Sequence, residues 1–401
     1  MKMLSLEIIF WISAFLVAYV YVLYPAGMWL LAKGFGQPHR VNDQLRPKVT
    51  LLVSAYNERS VIASKLENSL ALDYSPEHLE IVVVSDCSDD GTDEIVASYA
   101  ARAVRLVRQN QRLGKAAGLN LGVAQSTGDV IVFSDANAIY QRDALIQLVR
   151  HFSDPLIGYV VGNAKYLETA GRTASAESEG FYWKMETQLK HLESQFGSVV
   201  GGDGAIYAIR KDLFLPLLPT DINDFLNPLQ IVARNYRGVY EPAAVCFEEA
   251  GESFKKEFRR KVRIISRSLN AIRREPHVIL PWVQPRHWLA LVSHKLLRWF
   301  APVYLILLIV SSGVLSNSRA YFVAFLLQLV FYALAIAGWL LERWANIPKY
   351  FYLPYYFCVV NAASLLGIFR FSSGTLSPTW ETIRETPPTP KTDVHLAGKD
   401  S

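Results

Sequence analysis

The chain has 401 residues, 51% hydrophobic and 19% charged, with a net charge of +5 and three scattered cysteines, Cys87, Cys246 and Cys358. No Cys/His pair has zinc-ligand spacing, so neither a disulfide framework nor a structural zinc site is indicated. The balance suits a soluble domain joined to membrane helices better than a purely soluble enzyme. In chain order, Leu4 to Leu31 carries one acidic residue, Glu7. It exceeds the roughly 20 apolar residues that a bilayer span needs. It is also longer and more aromatic than the apolar core of a cleaved signal peptide, so it reads as a retained transmembrane helix. Lys33, Arg40 and Arg46 follow it, which puts that side in the cytoplasm.

Residues 47–254 read as a soluble α/β domain. Lys48 to Ala55 is an expected buried strand, and Glu58 starts a helix running to about Leu72. Leu79 to Ser85 is a second strand, Val104 to Val107 a third and Val130 to Phe133 a fourth, with helices from Asp93 and over Gly118 to Ser126. This alternation predicts a mostly parallel, Rossmann-like sheet with its chemistry on the loops after Val53, Val84 and Phe133. Asp135 and Asn137 stand two residues apart just past a buried strand. Such oxygen ligands suit Mg²⁺ or Mn²⁺; the alternative is a loop or helix cap. Asp86 can accept from the imide of a uracil ring, Glu58 and the backbone at Ala55 can hold a ribose, and Lys115 can reach a diphosphate. Asp89, Asp93 and Asp129 read as solvated or capping residues. No GxGxxG follows the first strand and no GxxxxGK[ST] occurs, which argues against dinucleotide oxidoreductases and P-loop proteins.

SAYNE (54–58), VVVSDCSDDGTDE (82–94), GKAAGLN (114–120) and FSDAN (133–137) together resemble the nucleotide-sugar half of a family 2 glycosyltransferase with a GT-A fold. The relevant group is the membrane-integrated cellulose, hyaluronan and poly-N-acetylglucosamine synthases. The resemblance implies that Asp86 contacts uracil, that Lys115 lies near the phosphates, and that Asp135 opens the metal-binding D-x-D element, with Asn137 in its second place. Tyr159 to Tyr166 is a further expected strand, and Ala174 to Phe196 an amphipathic helix. In GGDGAIYAIRKDLF, Gly202 and Asp203 fall where the family meets its acceptor, ahead of a strand over Ala205 to Ile209; a plain turn is the other reading. TDINDF resembles the element whose acidic pair supplies the general base. Asp224 is the expected base, Asp221 the runner-up, and an N-cap for a helix over Phe225 to Asn235 the alternative. Glu248 and Glu249 read as capping or solvated.

Residues 255–292 read as interfacial, led by Lys255 to Glu275, a basic amphipathic helix suited to an anionic bilayer surface. It localises the basic excess and makes nucleic acid unnecessary. Arg260 and Arg263 loosely match the QxxRW element of processive synthases, with Gln and Trp missing; they are candidates for a phosphate role, or for plain solvation. Trp282, Trp288 and Trp299 read as an interfacial belt. Within 296–368, Leu296 to Leu315, Ala320 to Leu341 and Tyr350 to Ile368 are near the spanning length, the last one re-entrant through Pro354 and Asn361. Arg343 and Lys349 mark the loop between the second and third runs as cytoplasmic, and residues 382–401 read as a disordered tail.

These expectations combine into a metal-dependent, inverting glycosyltransferase of a bacterial inner membrane, with its catalytic domain in the cytoplasm. It would move a sugar from a UDP-sugar to a glycan or lipid-linked acceptor, with export partners in the membrane if the product is a polysaccharide. The opposing reading is a catalytically inactive membrane protein that binds nucleotide sugars, which Asn137 and Asn223 permit.

Overall fold

The computed structural model describes residues 2–167, 174–249, 254–341 and 348–374. Arg343 and the expected tail at 382–401 lie outside the described residues, as does the side chain of Lys349. Among the described residues eight strands form one sheet: β1 (Val49–Ala55), β2 (Leu79–Ser85), β3 (Val104–Arg108), β4 (Val130–Asp135), β5 (Ile139–Tyr140), β6 (Ile157–Leu167), β7 (Tyr207–Arg210) and β8 (Arg237–Glu249). Their spatial order is β3-β2-β1-β4-β7-β6-β8-β5. The β3-β2-β1-β4 half is parallel, as the alternation of strands and helices requires. Beyond it β7 runs antiparallel to β4 and β6, β8 pairs parallel with β6, and β5 closes the edge antiparallel to β8. The sheet is therefore mixed.

Side chains alternate across each strand, so the sheet divides the core in two. Leu51, Val53, Ile81, Val83, Val130 and Val132 face one apolar cluster. Leu52, Val82, Val84, Ile131 and Phe133 face the other. Burial on both faces is why these strands read as unbroken apolar runs. Chain order reverses between β1 and β4, where Ser54 pairs with Asp135. Ligands of open α/β sheets bind at such a switch point, beyond the carboxyl ends of the strands.

A third apolar cluster joins this domain to the terminal helices. It holds Tyr24 and Met28 of the N-terminal helix, Leu189 and Phe196 of the helix Ala174–Phe196, Phe225 and Leu229, and Ile265 and Leu269 of the helix Phe254–Arg274. The basic helix thus turns its apolar face onto the chain itself, and the expectation that this face lies on a lipid surface gives way to a packed helix. Its neighbour is Lys349–Ser372, where a Cβ at Gly367 would lie 3.0 Å from Ile265. Trp299 is buried against Phe225, with ring centroids 5.6 Å apart, so it leaves the expected belt; Trp282 is 76% exposed.

Among the described residues, three helices are long and apolar enough to cross a membrane: Met3–Phe35, Arg319–Leu341 and Tyr350–Ser372. The last is continuous through Pro354, so the re-entrant expectation fails. The expected span Leu296 to Leu315 is not straight. It breaks at Phe300, and the flanking helices Pro285–Trp299 and Ala301–Val314 meet at 55°. Pro302 sits in the first turn of the second helix, where its missing N–H removes no helical hydrogen bond.

Candidate active site

The site is a cavity of about 550 Å³ beyond the ends of β1 and β4. Glu58, Lys115, Asp135, Asn137, Gly202, Asp203, Asp224, Arg260 and Arg263 all line it. Ala55 and Asp86 do not, although Ser54 and Tyr56 beside Ala55 do. The carboxylate of Asp86 accepts hydrogen bonds from Gln109 Nε2 at 2.7 Å, Leu113 N at 2.9 Å and Gly114 N at 3.0 Å. In this structure Asp86 fastens the loop that leads into Lys115.

At the centre stands Gly204. A Cβ there would lie 3.5 Å from Asp135 Oδ2, 3.5 Å from Asp224 Oδ2 and 3.7 Å from Lys115 Nζ. Strand β4 delivers Asp135, the first residue of the helix Lys115–Gln125 delivers Lys115, and the first turn of the helix Asn223–Ala233 delivers Asp224. Lys115 Nζ donates to Asp135 Oδ1. Burial works against the Lys115 ammonium, but Asp135 and then Asp224 offset it, and its pKa ends above the ordinary value.

The loop before β7 is shaped by its glycines. Gly201 takes a φ of +81°, and Gly202 N donates to the Asp224 carbonyl. A Cβ at Gly202 would sit 3.1 Å from that oxygen. Only glycine lets this loop hug the start of the Asp224 helix. Asp203 pairs with Lys190 at 3.2 Å.

Asp224 itself is pushed above the ordinary carboxylate range, first by burial and then by Asp203 and Asp135, with Lys115 opposing. A raised pKa makes a stronger base. Its neighbour Asn223, also at the cavity wall, donates its amide to Tyr207 Oη at 2.8 Å. The neutral residue of the pair is thus anchored to a buried tyrosine. Asp221 is bound by Arg274 through two 2.8 Å contacts, which removes it as the competing base.

Glu248, expected to cap or to be solvated, lines the cavity, and burial followed by Asp135 and Asp203 pushes its pKa up to about 8. Crowded negative charge of this kind fits a hard divalent cation. Asp135 and Asn137 offer oxygen donors beside it, while Lys115 and Arg263 offer charge to an anion. Among the described residues no cluster of three or more His, Cys, Asp or Glu forms a ready metal cage. The donor diphosphate would have to complete the coordination, as is usual for Mg²⁺.

Sequence reading missed Lys65. It is fully buried, donates to the Ala138 carbonyl at 2.5 Å and lies 3.9 Å over the Tyr140 ring. Tyr140 Oη in turn donates to the carbonyls of Phe133 and Ala205. This bracket ties the Asp135 loop to the Gly204 loop. A lysine on an otherwise apolar helix face was the available signal.

The mixed sheet with acidic loops meeting at its switch point has the GT-A fold. A solved mannosyltransferase from Pyrobaculum calidifontis, in complex with GDP-Man and Mn²⁺, superposes with a TM-score of 0.70 at 24% identity, covering 92% of this chain and 99% of that one; the likeness is one of fold. Residues 50–215 match the model of Glycosyl transferase family 2. It is 29% identical over 238 residues to the probable glycosyltransferase YdaM of Bacillus subtilis, covering 56% of each chain. It is 28% identical over 224 residues to the poly-beta-1,6-N-acetyl-D-glucosamine synthase of Staphylococcus aureus, covering 54% of this chain and 53% of that protein. The chain spans about half the length of the curated relatives it matches.

Proposed function

We propose that this protein is a membrane-integrated, inverting glycosyltransferase that moves a sugar from a UDP-sugar to a hydroxyl of a glycan or lipid-linked acceptor. The observation that carries the reading is the meeting of Asp135, Asp224 and Lys115 around Gly204. Asp224 takes the acceptor proton as the acceptor oxygen attacks the anomeric carbon. The new C–O bond forms as the bond to the diphosphate breaks on the opposite face, which inverts the configuration. Lys115 and Arg263 hold the phosphates, with Arg260 at the rim, paired to Glu257 at 2.7 Å. Mg²⁺ or Mn²⁺ at Asp135 and Asn137 would neutralise the leaving diphosphate. Glu58 and the β1 end hold the ribose, and Gly202 and Asp203 border the acceptor. The helices Met3–Phe35, Arg319–Leu341 and Tyr350–Ser372 support residence in a membrane; Lys33, Arg40 and Arg46 after the first of them favour a cytoplasmic catalytic domain.

The test is a screen of labelled UDP- and GDP-sugars on purified membranes containing the protein, with and without EDTA. Incorporation of label from a UDP-sugar, abolished by EDTA and restored by Mn²⁺ or Mg²⁺, supports the reading. Incorporation from GDP-sugars alone refutes the donor, and donor binding without incorporation favours the inactive sensor.

A further inference from the structure

The catalytic cavity does not end at the acceptor loop. Tyr21, Glu186, His294 and Arg298 line it, and the same four residues line a second cavity of about 250 Å³. The second cavity is a groove between the N-terminal helix and the helix Ala174–Phe196, walled by Val20, Pro25, Trp29, Met185, Leu189 and Leu192. Trp29 is 52% and Met185 43% exposed, so the groove opens outward along a helix long and apolar enough to cross a membrane.

The shared residues form a polar gate. Glu186 takes His294 at 3.0 Å, Lys295 at 2.7 Å and Arg298 at 3.1 Å, and Glu193 takes His294 and Tyr24, each at 2.8 Å. Two of the three helices that carry the shared residues are locally π-helical, at Tyr19–Leu23 and at Leu291–Leu296; Glu186 sits on the third, Ala174–Phe196. The two π-turns meet, with Tyr19 Oη 2.8 Å from Ser293 Oγ. Such turns are rare and concentrate at functional sites, because they realign side chains at a cost in helix stability.

We propose that this groove admits the acceptor, a membrane-borne amphiphile. Its apolar tail lies against Val20, Trp29, Met185 and Leu192, and its polar head passes the Glu186–His294–Arg298 gate to bring a hydroxyl to Asp224. The inference rests on the glycosyl-transfer reading and names its acceptor class. A tail of this kind loses little on leaving the bilayer, because the groove offers apolar walls of its own. A soluble glycan would gain nothing from them.

The experiment uses the full chain in lipid nanodiscs and a hexadecyl β-glucoside with a photoreactive diazirine in its tail. Peptide mapping after illumination is expected to place label within residues 20–29 or 185–192. Excess octyl glucoside should compete it away and lysophosphatidylcholine should not. Met185→Trp, which fills the groove, should lower this labelling about tenfold. A thermal melt checks its fold, and Gln188→Trp serves if Met185→Trp fails to fold. Label spread over outward residues such as Phe322 and Leu327 would overturn the proposal, as would equal displacement by lysophosphatidylcholine, the mark of a bulk-lipid site. Labelling needs no nucleotide sugar, so its failure stays distinct from a failure of UDP-sugar turnover.

Discussion

In the proposed reaction Asp224 is the base, and its surroundings suit it to that task. Burial and the nearby Asp135 and Asp203 raise its pKa, so more of it is protonated at mildly acidic pH than of an ordinary aspartate. The transfer rate should then fall as pH drops through that raised pKa, and the acid limb of kcat/KM should lie above the usual value of about 4. A pH profile with its acid limb at or below that value would contradict this. Lys65 acts at one remove, through the Ala138 carbonyl and Tyr140. Lys65→Met should weaken activation by Mn²⁺ about 10- to 100-fold, the usual range for a residue that supports a metal ligand. Activity measured against a Mn²⁺ titration would show this as a shifted midpoint, partly rescued at saturation; an unmoved midpoint would remove Lys65 from the role.

The elements differ in how plainly the sequence announced them. Strands β1, β2 and β4 were legible because burial on both faces leaves only apolar residues in their runs, and the SDAN turn was legible because it ends such a run. The Asp224 helix was placed within two residues at each end. What stayed hidden depends on contacts distant in sequence. The raised pKa of Glu248 comes from burial and then from Asp135 and Asp203, Asp86 is tied to a loop more than 20 residues away, and the Glu186–His294 gate joins residues 108 apart. The bend at Phe300 also escaped notice, since apolar content is the same in a straight and a bent helix. The basic helix looked like a lipid-surface helix because periodicity shows that a face is apolar, not what covers it. In the structure Ile265 is buried beside Gly367. Ile265→Ala should therefore cost about 2–5 kcal/mol, the range for emptying a packed site. Denaturation in detergent would measure it, and a change below about 0.5 kcal/mol, typical of exposed positions, would mean the face is not packed.

At the scale of the whole molecule, the third apolar cluster makes catalytic domain and terminal helices one body. Tyr24, Met28 and Phe225 share it, and Phe225 directly follows Asp224. Residues 47–254 expressed alone would expose Leu189, Phe196 and Leu229, and should aggregate rather than run as a monomer on gel filtration. A stable, monomeric fragment would show that the helices are only an anchor. The central claim is that Asp135 and Asp224 serve one reaction from two sides, one at the donor diphosphate and one at the acceptor. The most direct measurement compares Asp224→Asn with the unaltered protein for UDP binding and for sugar incorporation from a labelled UDP-sugar. The account predicts UDP binding within about twofold and incorporation reduced by at least about 100-fold. Normal incorporation by Asp224→Asn would contradict it.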